Sequence, residues 1–344
     1  MHTLPPPNLT IASSQDLPPE KLHAFYRAMY PHLSDEDFLR LAWLYHDAAP
    51  VVALDGENVV AHAARIPFTL MIAQKPHRCS WYVDFAVLPA YQGQGLGKRL
   101  TKVWMAYAET QVSFCNEKSM GVFRQFGWVE SFRPLLHFLP LAPFDHRRFH
   151  AFIPGFLRGA LNLIPKIYFK RCYRRQGGDS ELKMLPVDAV ALAHFQKFFQ
   201  PPESAIVPLR DTEYFSWRLL RSPHCEHYRM VHLATQPSIQ AVIKINRRNQ
   251  TSYVDILCLS KPLEVSANTT LLAQIADWAG QNAIAYVRLL TCDPAFSKHL
   301  KSTLHSFCTP HRFTFFATDP HLKDFFQTAP WHFELIDSDW EQFS

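Results

Sequence analysis

Several things are missing from this chain, and each absence narrows what it can be. Glycine is scarce, 11 residues against 26 prolines in 344, so connections should be stiff rather than flexible. Cysteines do not pair in sequence: Cys79, Cys115, Cys172, Cys225, Cys258, Cys292 and Cys308 are scattered singly, without C-x-x-C spacing. An odd, dispersed set in a chain this long excludes a disulfide scaffold and reads as free thiols in a reducing compartment. No apolar run approaches the ~20 residues of a membrane span. The N-terminus, MHTLPPPNLTIASS, lacks a basic stretch followed by an apolar core, so no signal peptide is expected. A cytoplasmic protein with no integral membrane segment follows. Charge of one sign is also lacking: the formal net charge is +5 and the pI about 8.8. That excess suits anionic ligands but falls short of a nucleic-acid-binding signature.

What is present is a globular composition, 48% hydrophobic and 19% charged, in a chain long enough for two domains. Residues 8–12 read as a strand, and Leu17–Tyr30 and Ser34–His46 as helices, the second capped by Ser34 with Glu36 and Asp37 in its first turn. Val51–Leu54 and Val59–Ala64 flank the turn Asp55-Gly56-Glu57-Asn58, a hairpin signal, and Phe68–Ala73 extends its second strand. Ser80–Leu88 is the next strand. A helix from Leu96 through Thr110, a strand Val112–Cys115, a helix Glu117–Phe126 and a strand Trp128–Leu139 complete a β-α-α-β-β-β-α-β-α-β order, a mixed α/β layer structure.

Residues 141–178 break the pattern. They carry Arg147, Arg148, Arg158, Lys166, Lys170, Arg171, Arg174 and Arg175 among Phe149, Phe152, Phe156, Leu157, Leu161 and Tyr168, interrupted by Pro154 and Pro165. One reading is an interdomain connector whose apolar side packs on a domain; the other is a basic amphipathic segment making peripheral contact with an anionic membrane or partner through residues 141–175. Beyond it the same element order recurs. It runs through strand Leu182–Pro186, helices Asp188–Phe199 and Thr212–Ser222, and strands Tyr228–Ala234, Ile239–Asn246 and Thr251–Leu259. Helix Ser266–Gln281, strand Ala283–Thr291, helix Asp293–His305 and strands Phe313–Ala317 and His332–Ile336 follow. This predicts a structural duplication at half-chain spacing: a first domain over 1–140, a connector over 141–179 and a second domain over 180–344.

The densest local signal is Val87-Leu88-Pro89-Ala90-Tyr91-Gln92-Gly93-Gln94-Gly95-Leu96-Gly97-Lys98-Arg99. A strand, a glycine loop and an amphipathic helix present free main-chain N–H groups and a helix N-terminus to a phosphate. The loop is neither a dinucleotide fingerprint, which opens the first βα unit with G-x-G-x-x-G, nor a P-loop, which needs G-K-[ST]. The second half has Leu259-Ser260-Lys261-Pro262-Leu263-Glu264 at the equivalent place, without glycine. One anion site is therefore expected, not two.

The spacing of Gln92, Gly95 and Gly97 after Val87 and Pro89 resembles the acyl-CoA motif of the GNAT N-acetyltransferase superfamily, V-x-P-x-x-[RQ]-x-x-G-x-[GA]. Asn116 followed by Glu117 to Trp128 is similar to that family's second signature, an asparagine and a short helix ending in [aliphatic]-Y-x-[KR]-x-G-F. The resemblance covers about residues 8–140. Trp217-Arg218 with Pro223 and Tyr228 is more distantly similar to GNAT-like proteins of bacterial polysaccharide gene clusters.

The resemblance implies two tandem GNAT-like domains, each a mixed, mostly antiparallel sheet flanked by helices, the second without the coenzyme A loop. It also implies an N-acyltransferase that moves an acetyl or longer acyl group from acyl-CoA to a primary amine of a small acceptor through a tetrahedral intermediate, without a metal. Main chain of Gln92, Gly93, Gln94, Gly95, Leu96, Gly97 and Lys98 would wrap the pyrophosphate, with Lys98 and Arg99 adding charge. Phe85, Ala86 and Val87 would bond the pantetheine arm, with Asn116 and Phe123 also at the cofactor. Asn116 alternatively caps the helix that follows it.

Amine acylation needs a base, an oxyanion donor and an acid for the thiolate. Asp84, a carboxylate in an apolar strand, is the first base candidate, with burial expected to raise its pKa. His62 is the second, and a main-chain N–H near Val87 the oxyanion donor. At Phe123 the family pattern has a proton-donating tyrosine, which phenylalanine cannot replace. A non-catalytic acyl-CoA sensor or interaction module is the alternative reading.

Overall fold

The protein is described from a computed structural model covering residues 9–31, 33–45, 48–145, 152–200, 206–248 and 251–338. Asn8, His46, and Arg147, Arg148 and Phe149 of the expected connector lie outside these residues. In chain order the first elements are β1 (Leu9–Ser13), α1 (Pro19–Met29), α2 (Asp35–Leu44), β2 (Val51–Asp55), β3 (Asn58–Ile72) and β4 (Lys75–Val87). Then come α3 (Leu96–Met105), β5 (Thr110–Phe114), α4 (Glu117–Phe123), β6 (Val129–Glu130), β7 (Leu135–Pro140), α5 (Gly155–Leu161), α6 (Leu163–Gly177) and β8 (Leu182–Pro186). The rest is α7 (Ala189–Phe198), β9 (Val207–Pro208), α8 (Thr212–Phe215), β10 (Tyr228–Leu233), β11 (Gln236–Arg248), β12 (Thr251–Leu259), α9 (Val265–Gln281), β13 (Tyr286–Thr291), α10 (Pro294–Leu304), β14 (Phe307–Pro310), β15 (Phe313–Ala317) and α11 (Pro320–Thr328).

The α2 start follows the sequence: Ser34 Oγ accepts from Asp37 N while Asp37 Oδ2 accepts from Ser34 N, a reciprocal cap. The hairpin β2–β3 turns at Gly56-Glu57 as expected. The next hairpin does not follow a sequence signal. β3 and β4 close at Ala73-Gln74, both with positive φ (46° and 64°), the backbone of a type I′ turn normally read from Asn-Gly. Without that cue, β4 was expected to begin at Ser80, five residues late.

Two compact units are present: Met1–Phe132 with Arg312–Ala329, and Arg133–His311 with Pro330–Ser344. They replace the expected 1–140, 141–179 and 180–344. In the first unit the strands lie in the order β1-β2-β3-β4-β5-β15-β6, antiparallel except for β4 against β5. In the second the order is β8-β10-β11-β12-β13-β7-β14, antiparallel except for β12 against β13. The two orders match place for place.

The sixth place in each is filled from the other end of the chain. β15 sits between β5 and β6, and β7 sits between β13 and β14. Trp128–Leu139 is therefore not one strand: it divides at Ser131, and its second half contributes to the second sheet. Phe313 and Phe315 of β15 are wholly buried in the first unit.

Other expectations are also corrected. His332–Ile336 is not a strand; a single bridge pairs Ile206 with Trp331, and Leu335–Asp337 forms a 3₁₀ turn. Thr212–Ser222 is a short α-helix that widens into a π turn at Ser216–Leu220. α6 belongs to the second unit, where Tyr173, Phe169 and Cys172 pack into the core that α9 covers.

Candidate functional site

β4 carries the irregularity that opens the first unit. Ala86 pairs with His62 and Val83 with Ala64, so Asp84 and Phe85 stand opposite Ala63 alone, a β-bulge with Asp84 at φ 50°. On its other side β4 pairs with β5 only from Cys79 to Trp81. From Tyr82 onward the two strands diverge. Beyond Trp81, β4 keeps its ladder to β3 apart from the bulge and has none to β5, and Phe85 to Val87 border the opening between the two strands.

The glycine loop lies at the end of this gap. Gly95 is the N-cap of α3 at φ 78°, and the first i→i−4 bond of the helix is Arg99 N to Gly95 O at 3.2 Å. The amides of Leu96, Gly97 and Lys98 precede it and have no intrahelical acceptor. A Cβ on Gly97 would stand 3.0 Å from Phe85 Cζ, so the ring of the bulge residue fixes glycine there. Gln92 Nε2 donates to Val87 O at 3.0 Å, tying the loop to the strand end.

These elements enclose a cleft of about 640 Å³. Of the residues named from sequence, Phe85, Ala86, Val87, Gln92, Gly93, Gly95, Leu96, Gly97, Lys98 and Asn116 line it. Four do not. Gln94 turns its amide to Ala90 O (3.1 Å), and Arg99 donates from Nη2 to Leu9 O (2.9 Å) on β1. Asp84 is half-buried beside the cleft. Phe123 is 1% exposed, stacked on Trp128 at 4.5 Å and edge-on to Tyr82 at 5.1 Å. Its ring is core, which corrects its place at the cofactor; Val122 and Ser119 take the wall instead. Met29 and Tyr30 at the end of α1 also line the cleft without having been anticipated. The three-residue spacing of Asn116, Ser119 and Val122 on α4 was a legible cue; nothing in sequence pointed to Met29 or Tyr30. Asn116 Oδ1 accepts from Ser119 N (3.0 Å), so it caps α4 while facing the cleft.

His62 is fully buried with both ring nitrogens engaged. Nδ1 lies 2.8 Å from Asp84 O, which can only accept, so Nδ1 carries the proton; Nε2 then accepts from the Tyr26 hydroxyl at 2.8 Å. Burial lowers its pKa from 6.5 to about 4, only partly offset by the bond to Asp84. A neutral imidazole with no free lone pair is a brace for the bulge, not a base, which corrects the second catalytic assignment.

The Tyr45 hydroxyl, close to that of Tyr26, donates its proton to Asp84 Oδ2 at 2.7 Å. Burial first, and the negative Asp84 second, hold Tyr45 well above the ordinary phenol range. Both tyrosines, missed in sequence because nothing local ties them to His62 or Asp84, also line a second cavity of about 270 Å³ beside α1 and α2.

In the second unit β12 and β13 also pair in parallel, from Tyr253 to Ile256, and then diverge. There the chain fills its own gap. Leu259 N, at the end of β12, donates to Glu334 Oε1 at 2.9 Å. Arg210, buried, bonds Glu334 and chelates Asp337 through Nε and Nη2. Burial alone would raise the Glu334 carboxyl, but Arg210 brings it below the usual carboxylate range. Phe333, Leu335 and Ile336 close the rest.

Residues 17–128 match the profile of the acetyltransferase (GNAT) family. No curated protein matches the chain. Among solved structures, a probable N-acyltransferase of unknown function from Enterococcus faecalis is similar at 11% identity and TM-score 0.57, over 90% of this chain and 71% of that one. A GCN5-related N-acetyltransferase from Kribbella flavida gives 12%, 0.57, 90% and 70%, and a putative acetyltransferase from Pyrococcus horikoshii 11%, 0.52, 93% and 92%. At these identities the likeness is one of fold. The profile match, the divergent β4 and β5, and the glycine loop at α3 agree, and residues 17–128 are a domain of the acetyltransferase (GNAT) family.

Proposed function

We propose that the chain binds one acyl-CoA in the 640 Å³ cleft and transfers its acyl group to a primary amine of a small acceptor. The observation that carries this is the junction of the point where β4 and β5 diverge with the N-terminus of α3. The residues fit the ligand. Amides of Leu96, Gly97 and Lys98 with the Lys98 ammonium would hold the pyrophosphate. The main chain of Phe85 to Val87, beyond the end of the β4–β5 ladder, would bond the pantetheine arm as an added strand. Acyl-CoA supplies a thioester carbon. The amine's lone pair forms the C–N bond, the C–S bond breaks, and the electron pair leaves on sulfur.

For the ammonium proton Asp84 is the acceptor this chain offers, with Tyr45 bonded to its Oδ2 and His62 bracing its carbonyl. The second unit has no glycine loop, and its gap holds Glu334 and Asp337, which supports a single coenzyme site in a duplicated fold. Seven free cysteines support a reducing, cytoplasmic setting. Calorimetric titration with acetyl-CoA tests the first step, with Gly95→Glu as the non-binding control; thiol release across amine classes tests the second. Absence of acyl-CoA binding by the unaltered protein refutes this reading.

The sensor reading has one specific support. Position 123 has no hydroxyl, and of the cleft tyrosines Tyr91 gives its proton to Asp55 Oδ2 (2.7 Å), a bond that raises it above its ordinary pKa and makes it a poor donor. Binding without turnover on any acceptor would select it.

A further inference from the structure

Residues 152–175 leave an apolar surface uncovered. Phe152, Phe156 and Ile164 are 82%, 81% and 79% exposed, with Leu163, Ile167 and Tyr168 each about half exposed or more. The two phenylalanines alone present on the order of 300 Å², as much as the largest apolar patch on an ordinary soluble monomer. The cause is visible in α6. Its Phe169, Cys172 and Tyr173 are spent on the core of the second unit, so Ile164, Ile167 and Tyr168, one helical step round, face away.

Charge is distributed along the same segment. The outward face of α6 is mostly apolar in its first half, with Lys166 between Ile164 and Ile167, and basic in its second, with Lys170, Arg171 and Arg175 exposed. Arg174 also faces outward and bonds Asp277. From 146 to 178 there is no Asp or Glu. An apolar end followed by a basic collar is the layout of a helix lying in a membrane interface, aromatic and aliphatic side chains among the acyl chains and cations at the phosphates. Two copies of this chain joined through the face would oppose one basic collar to another. A nucleic acid would leave the phenylalanines without an apolar partner.

We propose that residues 152–175 dock the protein on an anionic lipid surface. The helix lies in the plane of that surface and does not span it; no described helix is long and apolar enough to cross a membrane. The test is co-flotation of the full chain with vesicles of phosphatidylcholine alone and with about a third phosphatidylserine. Two double variants accompany it, Ile164→Asp with Ile167→Asp and Lys170→Glu with Arg171→Glu, and Leu263→Asp serves as an exposed control elsewhere.

The unaltered protein and the control should float with phosphatidylserine vesicles and release in high salt. Each double variant should bind about tenfold more weakly or worse, with unchanged circular dichroism and melting temperature. These readouts are independent of acyl-CoA binding. Failure to float with either vesicle overturns the proposal, as does equal binding to phosphatidylcholine alone or binding that both double variants retain. A concentration-dependent dimer, seen by sedimentation and lost in the same variants without vesicle binding, would assign the face to a second copy instead.

Discussion

Replacing His62 by glutamine separates a brace from a base. In the fold the imidazole titrates at about 4, against 6.5 when unfolded, because it is buried among Tyr26, Tyr45 and Phe25; the bond from Nδ1 to Asp84 O offsets this only in part. Below pH 6.5 the unfolded chain takes up a proton that the native site refuses. Stability therefore falls with pH between about 6.5 and 4 and is flat with respect to this group above and below. Between pH 7 and pH 5 the two pKa values give a loss of about 2 kcal/mol from His62 alone. His137 and His311, also pushed down to about 4 by burial, add to the same slope in both proteins.

The informative quantity is thus the difference between unaltered and His62→Gln chains, measured by urea unfolding at the two pH values. The variant starts lower at pH 7, by about 1–3 kcal/mol for the lost bonds, but loses about 2 kcal/mol less on acidification. With an amine acceptor that the unaltered protein turns over, kcat/KM should show no ionisation belonging to His62 near 6.5. An unchanged pH slope in the variant, or a His62 resonance titrating near 6.5, refutes the burial argument and restores His62 as a base.

Asp84→Asn should retain acetyl-CoA affinity and lose about a hundredfold or more in kcat; turnover unchanged at every pH removes the base assignment. Gly97→Val drives methyl groups into Phe85, 3.0 Å from the first added carbon, and should weaken acetyl-CoA binding by calorimetry while the second unit's unfolding transition stays put. Arg210→Met leaves Glu334 and Asp337 buried without a counter-charge and should cost about 3–5 kcal/mol by chemical denaturation. A chain ending at residue 140 lacks β15, which pairs with both β5 and β6, and should not give a cooperative melt. A peptide of residues 312–329 supplied in trans should restore one, and a fully cooperative 1–140 fragment would contradict the strand exchange.

The glycine loop was legible in sequence because its geometry is local. Gly95 at positive φ, the cap of α3 and the tie from Gln92 to Val87 are all settled within about a dozen residues of chain, so the spacing of Gln92, Gly95 and Gly97 carries them. The same holds for the Ser34 cap and the Gly56 turn. What needed the tertiary structure was everything set by partners far away in sequence. The sixth strand of each sheet is such a case: β7 and β15 are short and mostly apolar, which suits either sheet, and only pairing decides which. So is Phe123, which reads as a cleft residue by position yet stacks on Trp128, and so is His62, whose pKa is lowered by burial among residues distant in sequence. The closed gap of the second unit depends on Glu334 meeting Leu259, and the uncovered face at 152–175 on how much of α6 the core of the second unit uses. Local backbone chemistry fixed where an anion can sit; long-range burial decided which of the nearby groups can act on it.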